Sequence, residues 1–181
     1  MFEKGETILK VFATQLQGVF NKILEEEEES VENGSRLLAQ GPGGTGKLLI
    51  SGTSSMEGNA VTLAGHPDAP ADTKMRRIDE HTIPEPIDRV LLLAEKEESL
   101  TSMLTTLKQN EVPVVVIAPF PEEDGGVELE PTDVWLQTHV KGGIVPDVNG
   151  DRIGSPSALS TLFAGQLLFL NMKEMLEEEL D

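Results

Sequence analysis

At 181 residues, with 38% hydrophobic residues and no cysteine, the chain has enough apolar material for one core built without disulfides or thiolate metal sites. Its formal charge of -18 repels phosphate backbones and anionic lipid, and its basic residues are scattered, Arg76-Arg77 being the densest pair, so neither nucleic acid nor a membrane is an expected partner. No stretch reads as a secretory leader or a membrane span, and the expectation is one domain over residues 1–181 in the cytoplasm.

From Thr7 to Leu24 the residues Ile8, Leu9, Phe12, Leu16, Val19, Phe20, Ile23 and Leu24 recur at three- and four-residue steps, which predicts an amphipathic helix that buries one face. The run Glu25 to Glu29 reads as a solvated face or a helix junction, and a second helix is expected through Val31, Ser35 and Leu38 to Gln40. Lys47-Leu48-Leu49-Ile50-Ser51, apolar and bounded by glycines, reads as a short buried strand, followed by a helix from Ser54 to Ala64. His66 to Pro86 is rich in Pro, Asp and charge and reads as loops around a weak strand at Lys74 to Ile78.

Arg89 to Ala94 is a second strand, and the Leu100, Met103, Leu104, Leu107 spacing after it marks a further amphipathic helix. Pro113 to Ala118 is a third strand, and a shorter one is expected near Asp133 to Val140. Strands this uniformly apolar are covered on both faces, and their alternation with helices predicts an α/β fold with a parallel sheet built from right-handed crossovers. The last helix opens with Ser155 as N-cap and Pro156 at its first position, then places Leu159, Leu162, Phe163, Leu167, Leu170 and Met175 on one side. Its acidic end, Glu177-Glu178-Glu179, opposes the helix dipole and is expected to fray.

Gly41-Pro42-Gly43-Gly44-Thr45-Gly46-Lys47 matches the first seven positions of a Walker A loop, and its glycines also satisfy GxGxxG. A phosphate-cradling loop must leave a strand and enter a helix, whereas this one leaves a helical pattern and enters a strand. Leu48 also stands where Mg²⁺ coordination needs a hydroxyl, so the segment is read as a helix-to-strand turn. Asp147, Asn149 and Asp151 suggest a calcium loop, but Gly150 comes too early, Arg152 occupies the glycine position and Ala158 stands where a bidentate Glu is required. A tight Asn149-Gly150 turn is expected there, with no metal and no cofactor in the chain.

The turn Gly52-Thr53-Ser54-Ser55 has the arrangement an anion asks for: strand, glycine, hydroxyls, then the free N–H groups of a helix start. In open α/β sheets ligands sit beyond the carboxyl ends of strands, where this turn lies. The alternative is that Ser54 or Ser55 merely caps the helix.

Ile50-Ser51-Gly52-Thr53-Ser54-Ser55 resembles the first phosphosugar loop of SIS (sugar isomerase) domains, and the layout over most of the chain is similar to phosphoheptose isomerases and the isomerase half of glucosamine-6-phosphate synthase. The resemblance implies a three-layer, flavodoxin-type fold with a five-stranded parallel sheet and long terminal helices. It also implies a homodimer or larger assembly, and hydroxyl-rich loops after two strands that hold a sugar phosphate. Gly52, Thr53, Ser54 and Ser55 then form the first loop. The second follows Leu93, where Ala94-Glu95-Lys96-Glu97-Glu98-Ser99 departs from the family's Ser-x-Ser-Gly-x-Thr pattern and leaves Ser99 and Lys96 as candidates. Carboxylates at a helix start are also favourable with no ligand.

Isomerisation needs a group that moves a proton between adjacent carbons. The final helix has no His; Glu57, one turn into the first-loop helix, and His66, just after it, are the candidate bases, or else a helix-start charge and a loop residue. Arg152, Ser155 and Ser157 precede or open the last helix, where a cationic fork could complete an anion site or the serines could simply cap. Three readings follow: a binding protein for a phosphorylated sugar or similar small anion, an active sugar-phosphate isomerase, or a scaffold that acts through dimerisation or a protein partner.

Overall fold

The computed structural model describes residues 7–178, with the side chains of residues 97–99 outside the description. Helix α1 (Ile8–Glu26) opens on Thr7, whose hydroxyl accepts from the Lys10 amide, and α2 (Glu28–Ala39) follows after a one-residue break at Glu27. The acidic run is thus a helix junction, and Glu27 itself is buried in it. Strand β1 (Leu48–Gly52) leads through a 3-10 turn at Ser54–Met56 into α3 (Glu57–Ala64). Next come β2 (Lys74–Met75), β3 (Arg89–Leu93), α4 (Glu97–Gln109), β4 (Val114–Ala118) and β5 (Val134–Gln137). A hairpin of β6 (Val145–Pro146) and β7 (Arg152–Ile153) precedes the long α5 (Ser157–Glu178).

Five strands form one parallel sheet in the order β2-β1-β3-β4-β5, and the Asn149-Gly150 segment turns the separate antiparallel hairpin, with Gly150 at φ 87°. Alternate residues of each strand feed two cores. On one face Leu48, Ile50, Leu91, Leu93, Val115 and Ile117 pack under α2, α3 and α5; on the other Leu49, Val90, Leu92, Val114 and Val116 pack under α4. The β1-α3-β2 crossover therefore covers one face and the β3-α4-β4 crossover the other. Chain direction across the sheet reverses between β1 and β3, and that reversal opens a crevice at their carboxyl ends.

Two expectations need correction. The α1 stripe does not bury a whole face: Ile23 is the only fully buried residue of that helix, whereas Leu9 is 76% and Leu24 48% exposed. The expected strand at Lys74 to Ile78 shortens to two residues, held against Leu49 and Ile50 of β1. At the amino ends, the buried carboxylate of Asp133 ties three elements together, accepting from the Val114 and Glu130 amides and from Lys108 of α4. Of the acidic tail, Glu179 lies outside the described residues.

Candidate functional site

The turn after β1 sits at the crevice. Thr53 continues the sheet, its amide donating to the Leu93 carbonyl at 2.9 Å, and the Met56 amide then bonds the Thr53 carbonyl to close the 3-10 turn. Gly52 is required by packing: a Cβ there would lie 2.6 Å from the Met56 carbonyl oxygen. The glycine therefore lets the chain fold back on itself rather than making room for a ligand. The turn runs directly into α3, so residues 54–64 act as one helical segment with a tightened first turn.

Neither Ser54 nor Ser55 caps this segment; both side chains are exposed, and no side-chain cap bond is made at its start. Among the described residues their amides have no backbone acceptor, as expected for the first donors of a helix. Beneath them, Ser51 and Thr53 are 0% and 3% exposed, and neither hydroxyl has a hydrogen-bond partner among the described residues. A buried hydroxyl without a partner costs about 1–3 kcal/mol, so two in succession at a strand end mark a place where polarity is kept for something other than stability.

The other predicted residues divide. Glu57 stands in the first turn of α3, but its carboxylate is forked onto Arg77, with Arg77 Nε 2.8 Å from Oε1 and Nη2 3.0 Å from Oε2. The hydrogen bond and charge of Glu57 raise the Arg77 guanidinium above its ordinary value. Lys96 is exposed at the start of α4, beyond the end of β3. Ser99 lies in the first turn of that helix, and its side chain is outside the described residues.

Arg152 is turned to a different use: its Nε donates to the Gly143 carbonyl and its Nη2 to the Ile144 carbonyl, so it staples the β6-β7 hairpin. Ser155 accepts a long bond of 3.5 Å from the Ser157 amide, the geometry of a helix cap, and Ser157 is buried. The start of α5 nevertheless adjoins α3, because Asn59 Nδ2 donates to the Ala158 carbonyl at 2.9 Å.

His66 lies at the opposite end of α3 from the Ser54-Ser55 turn. Eight helical residues separate the two by about 12 Å of axis. Its Nδ1 accepts from the Asp68 amide, and its ring leans on Phe169. A loop residue is what the structure makes of it.

The glycine-rich segment is a helix-to-strand turn. The amides of Gly41 and Gly43 donate to the Leu38 and Ala39 carbonyls, that of Gly44 to Gly41, and that of Lys47 to the Asp88 carboxylate. These donors are consumed at the carboxyl end of α2, where the helix dipole is negative and an anion is unwelcome. A Cβ on Gly46 would fall 1.9 Å from the Ile87 carbonyl oxygen, so that glycine serves close backbone packing.

Two features escaped the sequence reading. Arg77 reaches the strand ends because β2 lies beside β1, an adjacency invisible from spacing alone. His139, in the left-handed region at φ 58°, places its Nε2 2.7 Å from Glu27 Oε1, while Glu27 Oε2 accepts from the Gln137 amide. The pair ties the α1-α2 junction to the end of β5. Open clefts also lie elsewhere, one of about 490 Å³ between α1, α2 and α5 around Leu24, Val31 and Leu170, and one of about 580 Å³ beside Pro42 to Lys47. Among the described residues no helix is long and apolar enough to cross a membrane, and no cluster of His, Asp and Glu suits a metal ion.

The architecture is that of SIS and phosphosugar isomerase domains. E. coli CFT073 c3406, solved with a phosphosugar bound, superposes with a TM-score of 0.64 at 18% identity over 93% of this chain and 89% of that one. The sugar isomerase domain of an RpiR transcription factor from Sphaerobacter thermophilus gives 0.67 at 15% identity over 94% and 91%. In sequence, Uncharacterized protein YwjG of Bacillus subtilis (strain 168) is 30% identical over 179 residues, 94% of this chain and 99% of that protein. The sequence pattern of the family described as Domain of unknown function (DUF2529) matches residues 8–176, and the chain belongs to that family.

Proposed function

We propose that the protein binds a phosphorylated sugar or a related small anion in the crevice between β1 and β3, without an evident catalytic group. The observation behind this reading is the pairing of free amides at Ser54 and Ser55 with the unpartnered buried hydroxyls of Ser51 and Thr53 at a topological switch point. An isomerase reading, including a phosphoheptose-isomerase-like one, needs a free base there. Glu57 is engaged by Arg77 and His66 is a helix length away. Binding without turnover is therefore favoured.

Thermal-shift and calorimetric titration with pentose, hexose and heptose phosphates, against the same sugars unphosphorylated, tests it. A ligand at about a hundred times its dissociation constant adds about 2.7 kcal/mol to stability, a shift easily read. The decisive variant is Ser54→Pro. Proline is tolerated at the first position of a helical segment, and Thr53, at φ -58° and ψ 163°, already has the extended conformation a following proline requires. It removes one amide donor and should weaken phosphate binding several-fold while leaving the fold intact. Equal stabilisation by phosphorylated and plain sugars, or unchanged affinity in Ser54→Pro, would remove the reading.

A homodimer in the cytoplasm is the accompanying proposal. Its support is the unburied apolar flank of α1 and α5, where Leu9, Leu24 and Leu170 stay exposed and Phe20 stacks on Phe163 at 4.2 Å. A monomer at all concentrations in sedimentation would sink it.

A further inference from the structure

An anion held by amides and hydroxyls alone is weakly held in water, and a charged donor changes that. Arg77 stands two residues past β2, the neighbour of β1, so its backbone rises at the same end of the sheet as the Gly52–Ser55 turn. Its fork onto Glu57 brings the guanidinium to the first turn of the Ser54-to-Ala64 segment. A guanidinium has five N–H donors in a rigid plane. The Glu57 carboxylate takes the edge made by Nε and Nη2, and Nη1 has no partner among the described residues. The end-on edge, Nη1 with the second Nη2 hydrogen, is thus open to a ligand, and the carboxylate fixes the plane in which it is presented.

We propose that Arg77 is the phosphate-binding cation of this crevice and that Glu57 is its positioning residue, an assignment that rests on the crevice being an anion site. The chemistry selects a terminal phosphate: two of its oxygens match the open guanidinium edge, and a third remains for the Ser54 and Ser55 amides. The rival account is that the pair only ties β2 to α3, as exposed ion pairs commonly do with little energetic effect. Arg77 is 71% exposed along its side chain, so replacing it leaves the core untouched and the two accounts separate cleanly.

The test is calorimetric titration of the full chain with inorganic phosphate and with a hexose phosphate. Arg77→Ala should raise the dissociation constant about tenfold, the loss expected for a charge-assisted pair of hydrogen bonds. Arg77→Lys should recover part of it, since lysine keeps the charge and lacks the fork. Arg36→Ala, which removes an exposed arginine paired with Glu32 on α2, should leave binding unchanged. Glu57→Gln should fall between wild type and Arg77→Ala, and the double variant should bind no more weakly than Arg77→Ala, because Glu57 acts only through Arg77. Wild-type affinity in Arg77→Ala alongside weakened binding in Ser54→Pro overturns this assignment alone, as does a Glu57→Gln loss that adds to that of Arg77→Ala. No binding by the wild type, or none lost in Ser54→Pro, overturns the crevice reading and this assignment with it.

Discussion

Thr53→Val should make the protein more stable and worse at binding, and the two signs together isolate the role of one hydroxyl. Thr53 is 3% exposed and its hydroxyl has no partner among the described residues, so the isosteric methyl removes a desolvation penalty of about 1–3 kcal/mol and creates no cavity. Its backbone at φ -58° and ψ 163° accepts a β-branched side chain. For a chain of 181 residues each kcal/mol moves the melting temperature by about 2–4 °C, so a rise of at least that size is expected. Urea unfolding followed by the single tryptophan, Trp135, gives the same quantity, with an unchanged slope showing that the transition is comparable. Phosphate affinity should fall about tenfold, the worth of a hydrogen bond to a charged group. Ser35→Ala supplies the opposite control: that buried hydroxyl donates to the Val31 carbonyl at 2.7 Å, and its loss should destabilise by about 1 kcal/mol. A Thr53→Val protein no more stable than wild type would mean the hydroxyl is satisfied in the free protein, and the argument from the orphaned pair fails.

Gly46→Ala should destabilise by about 3 kcal/mol or more, because the added methyl meets the Ile87 carbonyl at 1.9 Å, backbone that cannot step aside; Lys47→Ala should be near neutral, and neither variant nor wild type should bind ATP in a titration. Tight ATP binding lost in Lys47→Ala would reinstate the nucleotide loop. Glu111→Gly should stabilise by up to about 1 kcal/mol in urea unfolding. Glu111 occupies the left-handed position after α4 at φ 56°, with the Val112 amide bonded to the Leu107 carbonyl and its own to Lys108, the closing pattern that favours glycine. A loss of stability there would show that the Glu111 side chain contributes more than its backbone strain costs.

Legibility followed the range of the interactions. The three central strands could be read because each is covered on both faces and so is apolar throughout, and β1 shifted by only one residue from Lys47–Ser51 to Leu48–Gly52. The Gly52–Ser55 turn was visible because its whole chemistry is contiguous. Periodicity overstated α1: a stripe records which residues are apolar, not whether anything covers them, and Leu9 remains exposed. The β6-β7 hairpin has two residues per strand, and Arg152 and Ile153 of β7 are exposed, so no pattern announces it. Glu27 is hidden among like residues and is singled out only by His139, far along the chain. Arg152 and His66 went elsewhere for a related reason, since carbonyls of the same hairpin satisfy the one and the length of α3 removes the other. The pairing of Glu57 with Arg77 required knowing that β2 lies beside β1.

A net charge of -18 bears differently on the whole surface and on one crevice. At physiological ionic strength fields decay over about 8 Å, so a phosphate at the Ser54-Ser55 amides feels the Arg77 guanidinium and the helix start strongly and most of the carboxylates hardly at all. The two influences respond to salt in opposite directions. If the local donors govern, added salt screens attraction, and phosphate affinity should fall several-fold between roughly 0.05 M and 0.5 M ionic strength. If the global charge governs, salt screens repulsion and affinity rises. Titrations at the two ionic strengths decide between them, and tightening with salt would mean that no cation stands close enough to the phosphate to matter, which would count against Arg77 in particular.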